Sequence, residues 1–254
     1  MEQFLAWKAL MAANEPTTLW QQFYVLFYQA FIENDRWQQY LNGVLTTLYV
    51  TVLALALGVL LGVIVAVIRT AHDQQRPGHR HPVLGFINGI LKIYVTVIRG
   101  TPMMVQLMIM GLVIFASSRD FVMVGALTLG INSGAYTAEI IRGGLMSVDQ
   151  GQMEAGRSLG LNYTDTMRFV VVPQAIKAIL PALGNEFIVL LKDTSLISVI
   201  GGKELIYAAR GVVSRTYEAM FPFLGAALIY LVLVMIFTWL LGIFERRLRA
   251  SDRR

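Results

Sequence analysis

Amide, hydroxyl and charged side chains recur in two segments of a chain that is otherwise rich in apolar residues. In the first segment, Asn132, Tyr136 and Glu139 follow i, i+4, i+7 spacing, which places them on one face of a helix. Polar groups are costly against lipid, so in a membrane helix such residues are expected to face a path for a polar solute. The second segment contributes four more candidates for this path, Asn185, Glu186, Lys192 and Asp193.

Glu186 is the residue that we expect to meet a cationic or amino group of the solute, because a carboxylate at membrane depth needs a compensating charge. The alternative is that Glu186 pairs with Lys177, Lys192 or an interfacial arginine and only holds helices together. Replacement of Glu186 by glutamine separates these two interpretations.

Several kinds of chemistry have little support in the sequence. The 254 residues include no cysteine, which excludes disulfides and thiol catalysis, and the three histidines all lie within residues 71–82, which argues against a His/Cys metal site. A GxxxxGK[ST] phosphate loop is not formed before Lys203, since Ile197 stands where the first glycine is required. We therefore expect no catalytic residue and no cofactor in this chain.

The elements that must position the polar residues are membrane helices. Apolar residues make up 56% of the chain, charged residues only 15%, and the mean hydropathy is +0.60. Long apolar stretches predict five spans, at about 44–68, 100–118, 121–142, 173–191 and 221–244. The fourth gives a weaker signal than the others, because it contains Lys177, Pro181 and Glu186. Residues 83–98 are predicted to form an interfacial helix before the second span, although the two could be one helix kinked at Pro102.

Five spans put the termini on opposite faces, and the positive residues choose the orientation. Most of the 21 lysines and arginines fall between spans 1 and 2, including Arg99, between spans 3 and 4, or in the basic tail 248–254 and just before it. This distribution predicts a cytoplasmic C-terminus and an outside N-terminus, and it argues against a nucleic-acid partner. The loop between spans 4 and 5 is an exception with four positive residues, namely Lys192, Lys203, Arg210 and Arg215.

Residues 1–41 form an extension before the spans. Residues 20–32 are rich in Trp, Phe and Tyr and too short to cross a bilayer, so they predict an amphipathic helix in the outer membrane interface. A short sixth span is the alternative. The extension lacks the positive start and small-residue cleavage site of a signal peptide.

The loop 147–172 between spans 3 and 4 is longer than a simple connection requires. Asp149 is placed to cap a short helix over residues 150–158, and Gly160 is placed to end it in a left-handed conformation. Residues 163–165 then start a helix that enters the fourth span at Pro173. Such a short helix suits a rigid contact with a soluble partner, although an ordinary helical hairpin would share these features.

Three segments of the chain resemble one known family. The sequence EAGRSLG at 154–160, followed by Pro173 and Pro181, resembles the EAA loop of permeases of ABC importers. The turn of Arg99, Gly100, Thr101 and Pro102, and the sequence LKDTSL at 191–196, resemble signatures of the subgroup that imports polar amino acids. These segments occur in the expected order within residues 42–247.

This resemblance implies an all-α membrane protein with the five-helix core of a type I importer (MetI-like), to which the N-terminal amphipathic helix is added. It implies a transport permease in a bacterial inner membrane, docked on two ATPase subunits that bind ATP and Mg, fed by an extracytoplasmic solute-binding protein, and paired with a second permease copy. Membrane lipid surrounds the assembly. The residues implied to couple the permease to the ATPase are Glu154, Ala155, Gly156, Leu159 and Gly160.

The alternative function is a secondary amino-acid carrier driven by an ion gradient. Such carriers are more often built from internal repeats with broken helices in matching positions, and the five predicted spans show no such repeat. The sequence does not select the amino acid that is carried or decide between two identical and two different permease copies.

Overall fold

The computed structural model describes residues 2–73, 75 and 81–250, with side chains up to residue 248. In the described residues we number eleven α-helices in chain order, and the segments between them include short 3-10 or π turns at 33–35, 110–114, 167–171 and 194–200. The helices are α1 Glu2–Ala12, α2 Leu19–Phe31, α3 Arg36–Asp73, α4 Pro82–Gly100, α5 Met103–Ile109, α6 Phe121–Met146, α7 Gln150–Ser158, α8 Tyr163–Thr166, α9 Val172–Asp193, α10 Leu205–Thr216 and α11 Met220–Ala250.

The longest helix, α3, lies parallel to α6 at very short distance. Gly58 lies against Ser133, and Gly62 lies against Thr137 one turn further along both helices. A Cβ atom added at Gly62 would come within 2.6 Å of the Thr137 Cβ, so this approach requires glycine. The pair α3 and α6 therefore forms the centre of the helix bundle.

The helix α9 packs against α6 in the antiparallel direction, since Gly144 contacts Ile179 at one end and Gly125 contacts Ile197 at the other. The helix α11 runs antiparallel to α9, with the Phe187 and Phe237 rings 4.8 Å apart. We call the face at the ends of α3, α6 and α11 the loop face, because it carries residues 147–172. The starts of these three helices lie on the opposite face.

Buried apolar side chains concentrate between α3, α6 and the end of α9. This core includes Val50, Leu107, Leu129, Leu190 and Ile197, which are nearly or fully buried. A second cluster around Tyr40, Leu205 and Val212 joins α3, α10 and α11 near the opposite face. Most apolar side chains of α11 point outward instead, as expected for a helix in contact with lipid.

Five helical runs of the described residues are long and apolar enough to cross a membrane: 33–73, 82–100, 121–146, 163–200 and 220–248. Four of them contain the predicted spans at 44–68, 121–142, 173–191 and 221–244. The predicted span at 100–118 is wrong as a single helix, because helical structure from Met103 ends at Ile114. The crossing there begins with α4, whose residues 83–98 were expected to form an interfacial helix.

The break between α4 and α5 follows from local backbone chemistry. Thr101 is extended, with φ −115° and ψ 143°, as the ring of a following proline favours. Pro102 also has no N–H to donate into the preceding turn, so α4 ends at Gly100 and α5 begins anew. Both predictions place an interruption at this turn, and the structure forms two separate helices here and not one helix kinked at Pro102.

The N-terminal extension folds as a helical hairpin on the opposite face. The predicted helix 20–32 is confirmed as α2, whereas α1 was not predicted. The ring of Phe4 is buried against Tyr28 at 4.3 Å, and the Lys8 ammonium forms an ion pair with Glu33 at 2.6 Å. Phe23 of α2 contacts Phe221 at the start of α11, with ring centroids 5.2 Å apart, which docks the hairpin on the bundle.

Candidate functional site

Arg99 lies at mid-depth in the bundle and not in a loop. The Tyr94 hydroxyl, five residues earlier on α4, donates a hydrogen bond to the carbonyl of Ile131 at 2.6 Å, in the middle of α6. The Arg99 guanidinium lies over the Tyr136 ring, 5.1 Å from its centroid. The assignment of Arg99 to the loop between spans 1 and 2 is therefore wrong, because that crossing starts at Pro82 and reaches the bundle centre at Arg99.

The signature turn of residues 99–102 is held closed by Gln106. The Gln106 amide nitrogen donates to the carbonyl oxygen of Ile98 at 2.7 Å and to the Thr101 hydroxyl at 2.8 Å. Its amide oxygen accepts a hydrogen bond from Asn132 of α6 at 3.0 Å. Backbone groups freed inside a membrane must find such partners, so Gln106 makes the helix break tolerable at this depth.

A second polar contact at this depth joins α6 to α9. The Ser133 hydroxyl donates to the Glu186 carboxylate at 2.7 Å, and the Glu186 side chain is buried. Predicted ion pairs of Glu186 with lysine were the alternative, but the partner seen here is a hydroxyl. Together with Arg99, Tyr136 and Asn132, this pair forms a mid-depth band of polar groups.

The predicted path residues fall on three levels of the bundle. Asn132, Tyr136 and Glu186 belong to the mid-depth band, and Asn185 is exposed beside it. Glu139 lies nearer the loop face, between Arg69 at 2.5 Å and Arg142 at 2.9 Å. Lys192 and Asp193 lie at the other end of α9, about 10 Å beyond Glu186 by helical rise, so the seven residues do not form one cluster.

The carboxylate of Glu139 has a different environment from that of Glu186. Both Glu139 oxygens accept charge-assisted hydrogen bonds, one from Arg69 and one from Arg142. This arrangement favours a structural role that joins α3 to α6 near the loop face. Sequence spacing alone placed Glu139 on the same helical face as Asn132 and did not reveal the two arginine partners.

The helix predicted over residues 150–158 is confirmed as α7 with those bounds. Asp149 caps it by accepting a hydrogen bond from the Gly151 amide at 2.7 Å. Gly160 follows with φ +85°, a left-handed conformation that costs glycine little and other residues more. Residues Tyr163–Thr166 form α8, capped by Asn162, and the chain enters α9 as predicted.

The α7 helix has one buried and one exposed side. Gly156 is buried against Thr166 of α8, and an added Cβ would come within 2.5 Å of the Thr166 methyl group. Glu154, Ala155 and Leu159 are exposed, and 83% of Leu159 is accessible. A highly exposed apolar side chain such as Leu159, at the end of a capped helix, is typical of a surface that contacts another protein.

The α7 helix is attached to both helices that carry the Ser133–Glu186 hydrogen bond. It follows α6 through the short turn 147–149, and Gln174 at the start of α9 donates from its side-chain amide to Gln152 of α7 at 3.1 Å. The α7 helix therefore contacts α9 directly and is joined to α6 by three residues of chain.

Histidines do not assemble a site in the described part of the chain. His72 contacts Asn88 at 3.0 Å and Asp73 at 3.3 Å, and no group of three or more His, Cys, Asp or Glu side chains is placed to hold a metal among the described residues. His79 lies outside the described residues.

Two functional contacts were missed from the sequence. Gln106 was not predicted to have a role, although its position four residues after Pro102 is the spacing that returns a side chain to the same helical face. The contact of Arg99 with Tyr136 joins residues far apart in sequence, and no local pattern indicates it.

A family model and curated relatives match most of this chain. The family described as "Binding-protein-dependent transport system inner membrane component" matches residues 83–250. The glutamine transport system permease protein GlnP of Escherichia coli K12 is 34% identical over 214 residues, which cover 82% of this chain and 92% of that protein. A putative glutamine permease of Rickettsia bellii is also 34% identical, with 83% and 93% coverage.

Solved structures give the same result. The crystal structure of an amino acid ABC transporter with histidines has a chain that is 42% identical, with a TM-score of 0.74 and coverage of 83% of this chain and 94% of that one. The inward-facing MetNI methionine ABC transporter shares the fold, with a TM-score of 0.71, 18% identity and coverage of 85% and 99%. This chain belongs to the family of binding-protein-dependent transport system inner membrane components.

Proposed function

We propose that this chain is the permease subunit of an ATP-driven importer of polar amino acids. The family places it in the inner membrane as a multi-pass component that works with an ATPase and a solute-binding protein. The observation that carries the proposal is the attachment of α7 to both α6 and α9, the two helices joined by Ser133 and Glu186. ATP hydrolysis belongs to the partner, and α7 passes its motion to the polar band.

Exposure of Arg99 at mid-depth supports a second permease copy beside this one. A guanidinium facing lipid in the membrane centre is strongly unfavourable, so its open side should face protein or a water-filled path. Two copies with their mid-depth bands turned toward each other provide such a path. Two permease copies also present two exposed α7 surfaces. We therefore propose two ATPase subunits, one for each α7.

The chemistry of the band fits a zwitterionic solute. Arg99 offers a cation for an α-carboxylate, Tyr136 and Asn132 offer hydrogen bonds, and Glu186 offers an anion for an amino group. We propose that the amino acid passes these groups after its release by the binding protein. The loop face is then cytoplasmic, the C-terminus is inside, and the N-terminal hairpin lies outside.

Transport in proteoliposomes tests the proposal. Permease, ATPase and binding protein are reconstituted, and uptake of labelled glutamine, histidine and arginine is followed with and without ATP. We expect uptake of at least one of these amino acids that needs ATP and binding protein together and continues after ionophores collapse ion gradients. Uptake that stops with the ion gradient and ignores ATP would instead establish the secondary carrier.

A further inference from the structure

An open cleft of about 900 Å³ lies on the opposite face, away from α7. Its walls are the start of α3, the end of the 3-10 turn Thr194–Ile200, and α10. Side chains of Gln39, Asn42 and Ser214 give the walls a polar surface. The cleft therefore differs from the apolar surface that α11 turns outward.

The four positive residues between spans 4 and 5 gather at this cleft. Lys203, Arg210 and Arg215 line it, and Lys192 lines a smaller neighbouring cleft of about 380 Å³. The two clefts share Phe223 as a common wall. All four cationic side chains are exposed. The positive residues that did not fit the predicted charge distribution therefore lie on one surface. We call the two neighbouring clefts together the cationic cleft.

Two carboxylates near the cationic cleft, Glu204 and Glu218, accept hydrogen bonds from backbone amides. Glu204 is fully buried and accepts hydrogen bonds from the Ile206 and Tyr207 amides. Glu218 caps the start of α11 by accepting from the amides of residues 220 and 221. Arg210 donates a hydrogen bond to the Ser198 carbonyl at 3.3 Å, and Lys192 interacts electrostatically with Asp193. No ion pair within 4 Å between described residues includes Lys203, Arg210 or Arg215, so no carboxylate of the described chain neutralises these three charges by direct contact.

Loops outside the cytoplasm usually contain few positive residues, so four of them between spans 4 and 5 indicate a function for the charge. We infer that the cationic cleft is the docking surface for an acidic, protruding surface of the solute-binding protein. The inference rests on the proposed function for the orientation and for the presence of that partner. A recess between α3 and α10 suits a protruding acidic loop better than a flat layer of lipid headgroups, and complementary charge would speed the encounter.

The test compares a triple variant, Lys203→Gln with Arg210→Gln and Arg215→Gln, with the unchanged complex in nanodiscs. The transporter's own binding protein, loaded with its amino acid, is titrated while ATPase activity is measured. We expect the half-maximal concentration of binding protein to rise about tenfold and its salt dependence to flatten, with basal activity unchanged. Arg119→Gln, an exposed cation on the same face outside the cleft, should change neither quantity.

The outcomes separate this inference from the proposed function. If the unchanged complex is not stimulated by any loaded binding protein, the proposed function fails first. If stimulation occurs with the same half-maximal concentration in the triple variant, only the docking inference fails. A shift that vanishes in nanodiscs without anionic lipid, or that comes from loss of the permease dimer on size-exclusion chromatography, would also overturn it.

A cross-linking experiment gives an independent readout, because the chain contains no cysteine. Ser214 is exposed in the cleft, and Ser117 is exposed on the same face outside it. A photoactivatable maleimide on Ser214→Cys should capture the loaded binding protein, and the same reagent on Ser117→Cys should not. Equal capture at both positions would contradict docking at the cleft.

Discussion

The Ser133 hydroxyl of α6 donates a hydrogen bond to the Glu186 carboxylate of α9 across 2.7 Å, at the depth where the Arg99 guanidinium covers the Tyr136 ring. The anion and the cation lie on different helices, and each has a neutral partner in this chain. In the described structure neither group is paired with an opposite charge, whereas the Glu139 carboxylate pairs with both Arg69 and Arg142.

Glu186→Gln should impair transport without unfolding the permease. Glutamine keeps the size of the side chain and an acceptor for Ser133 but removes the charge. Loss of a charge-assisted contact worth about 1.5–3 kcal/mol predicts uptake lower by about tenfold or more in proteoliposomes. Ser133→Ala keeps the carboxylate and should reduce uptake less. Unchanged uptake and unchanged preference among amino acids in Glu186→Gln would assign Glu186 a structural role only.

Gly160→Val should disconnect ATP hydrolysis from transport. A β-branched residue at φ +85° is strained by about 1–2 kcal/mol, so the turn that ends α7 must rearrange. We expect normal assembly with the ATPase but little stimulation of its activity by loaded binding protein. The same substitution at Gly143, where an added Cβ meets nothing within 4 Å, serves as the control. Normal stimulation in Gly160→Val would show that α7 does not need this turn.

Gly62→Val should destabilise the bundle. The new Cβ would lie 2.6 Å from the Thr137 Cβ, and overpacking of this kind costs about 1–3 kcal/mol. We expect the detergent-solubilised variant to unfold several degrees lower than the parent chain in a thermal scan. Gly89→Val in α4, with open space around the glycine, should unfold close to the parent temperature. Equal lowering by both substitutions would mean that helix propensity, and not the contact of α3 with α6, decides the result.

Stability should depend on pH through Glu204. Burial raises the pKa of the Glu204 carboxyl from 4.5 to about 7, against hydrogen bonds from the Ile206 and Tyr207 amides that lower it. The folded state therefore holds this proton more tightly than the unfolded state. Its contribution to stability is full below about pH 4.5 and is lost as the pH rises through about 7.

Thermal unfolding of the parent and of Glu204→Gln in detergent at pH 5, 6, 7 and 8 measures this effect. Glutamine does not titrate, so other groups cancel in the comparison. The unfolding temperature of the parent relative to the variant should fall as the pH increases. A constant difference over this range would show that Glu204 stays charged in the folded protein.

The loop helix was predictable because its signals are local. Asp149 and Gly160 fix the two ends of α7 through backbone hydrogen bonding and a positive φ, and both effects act within a few residues. The same applies to four of the spans, whose apolar runs are long enough to decide the outcome by themselves. The helix α2 was also predicted from its composition, and its capping box of Thr18 and Gln21 adds a local start signal.

The second crossing was not predictable to the same degree, because its signals are distant. Apolar residues continue on both sides of Pro102. Composition alone therefore does not show whether the break between α4 and α5 lies at the end or in the middle of the helix bundle. The position of Arg99 is decided by Tyr136 of α6, and that of Glu186 by Ser133, residues that local patterns do not connect. The helix α1 depends likewise on aromatic contacts with α2, such as Phe4 with Tyr28.

The π turn Met167–Val171 lies between α8 and α9, at a point where the helical register can change. A π turn holds one residue more than the surrounding α-helix, and such turns are frequent at functional sites. If that residue were taken up into regular α-helical pairing, the register would advance by one position, a rotation of about 100° with a rise of 1.5 Å. Such a shift would turn α7 and α8 relative to α9 in a screw motion about the α9 axis, which differs from a simple displacement along that axis.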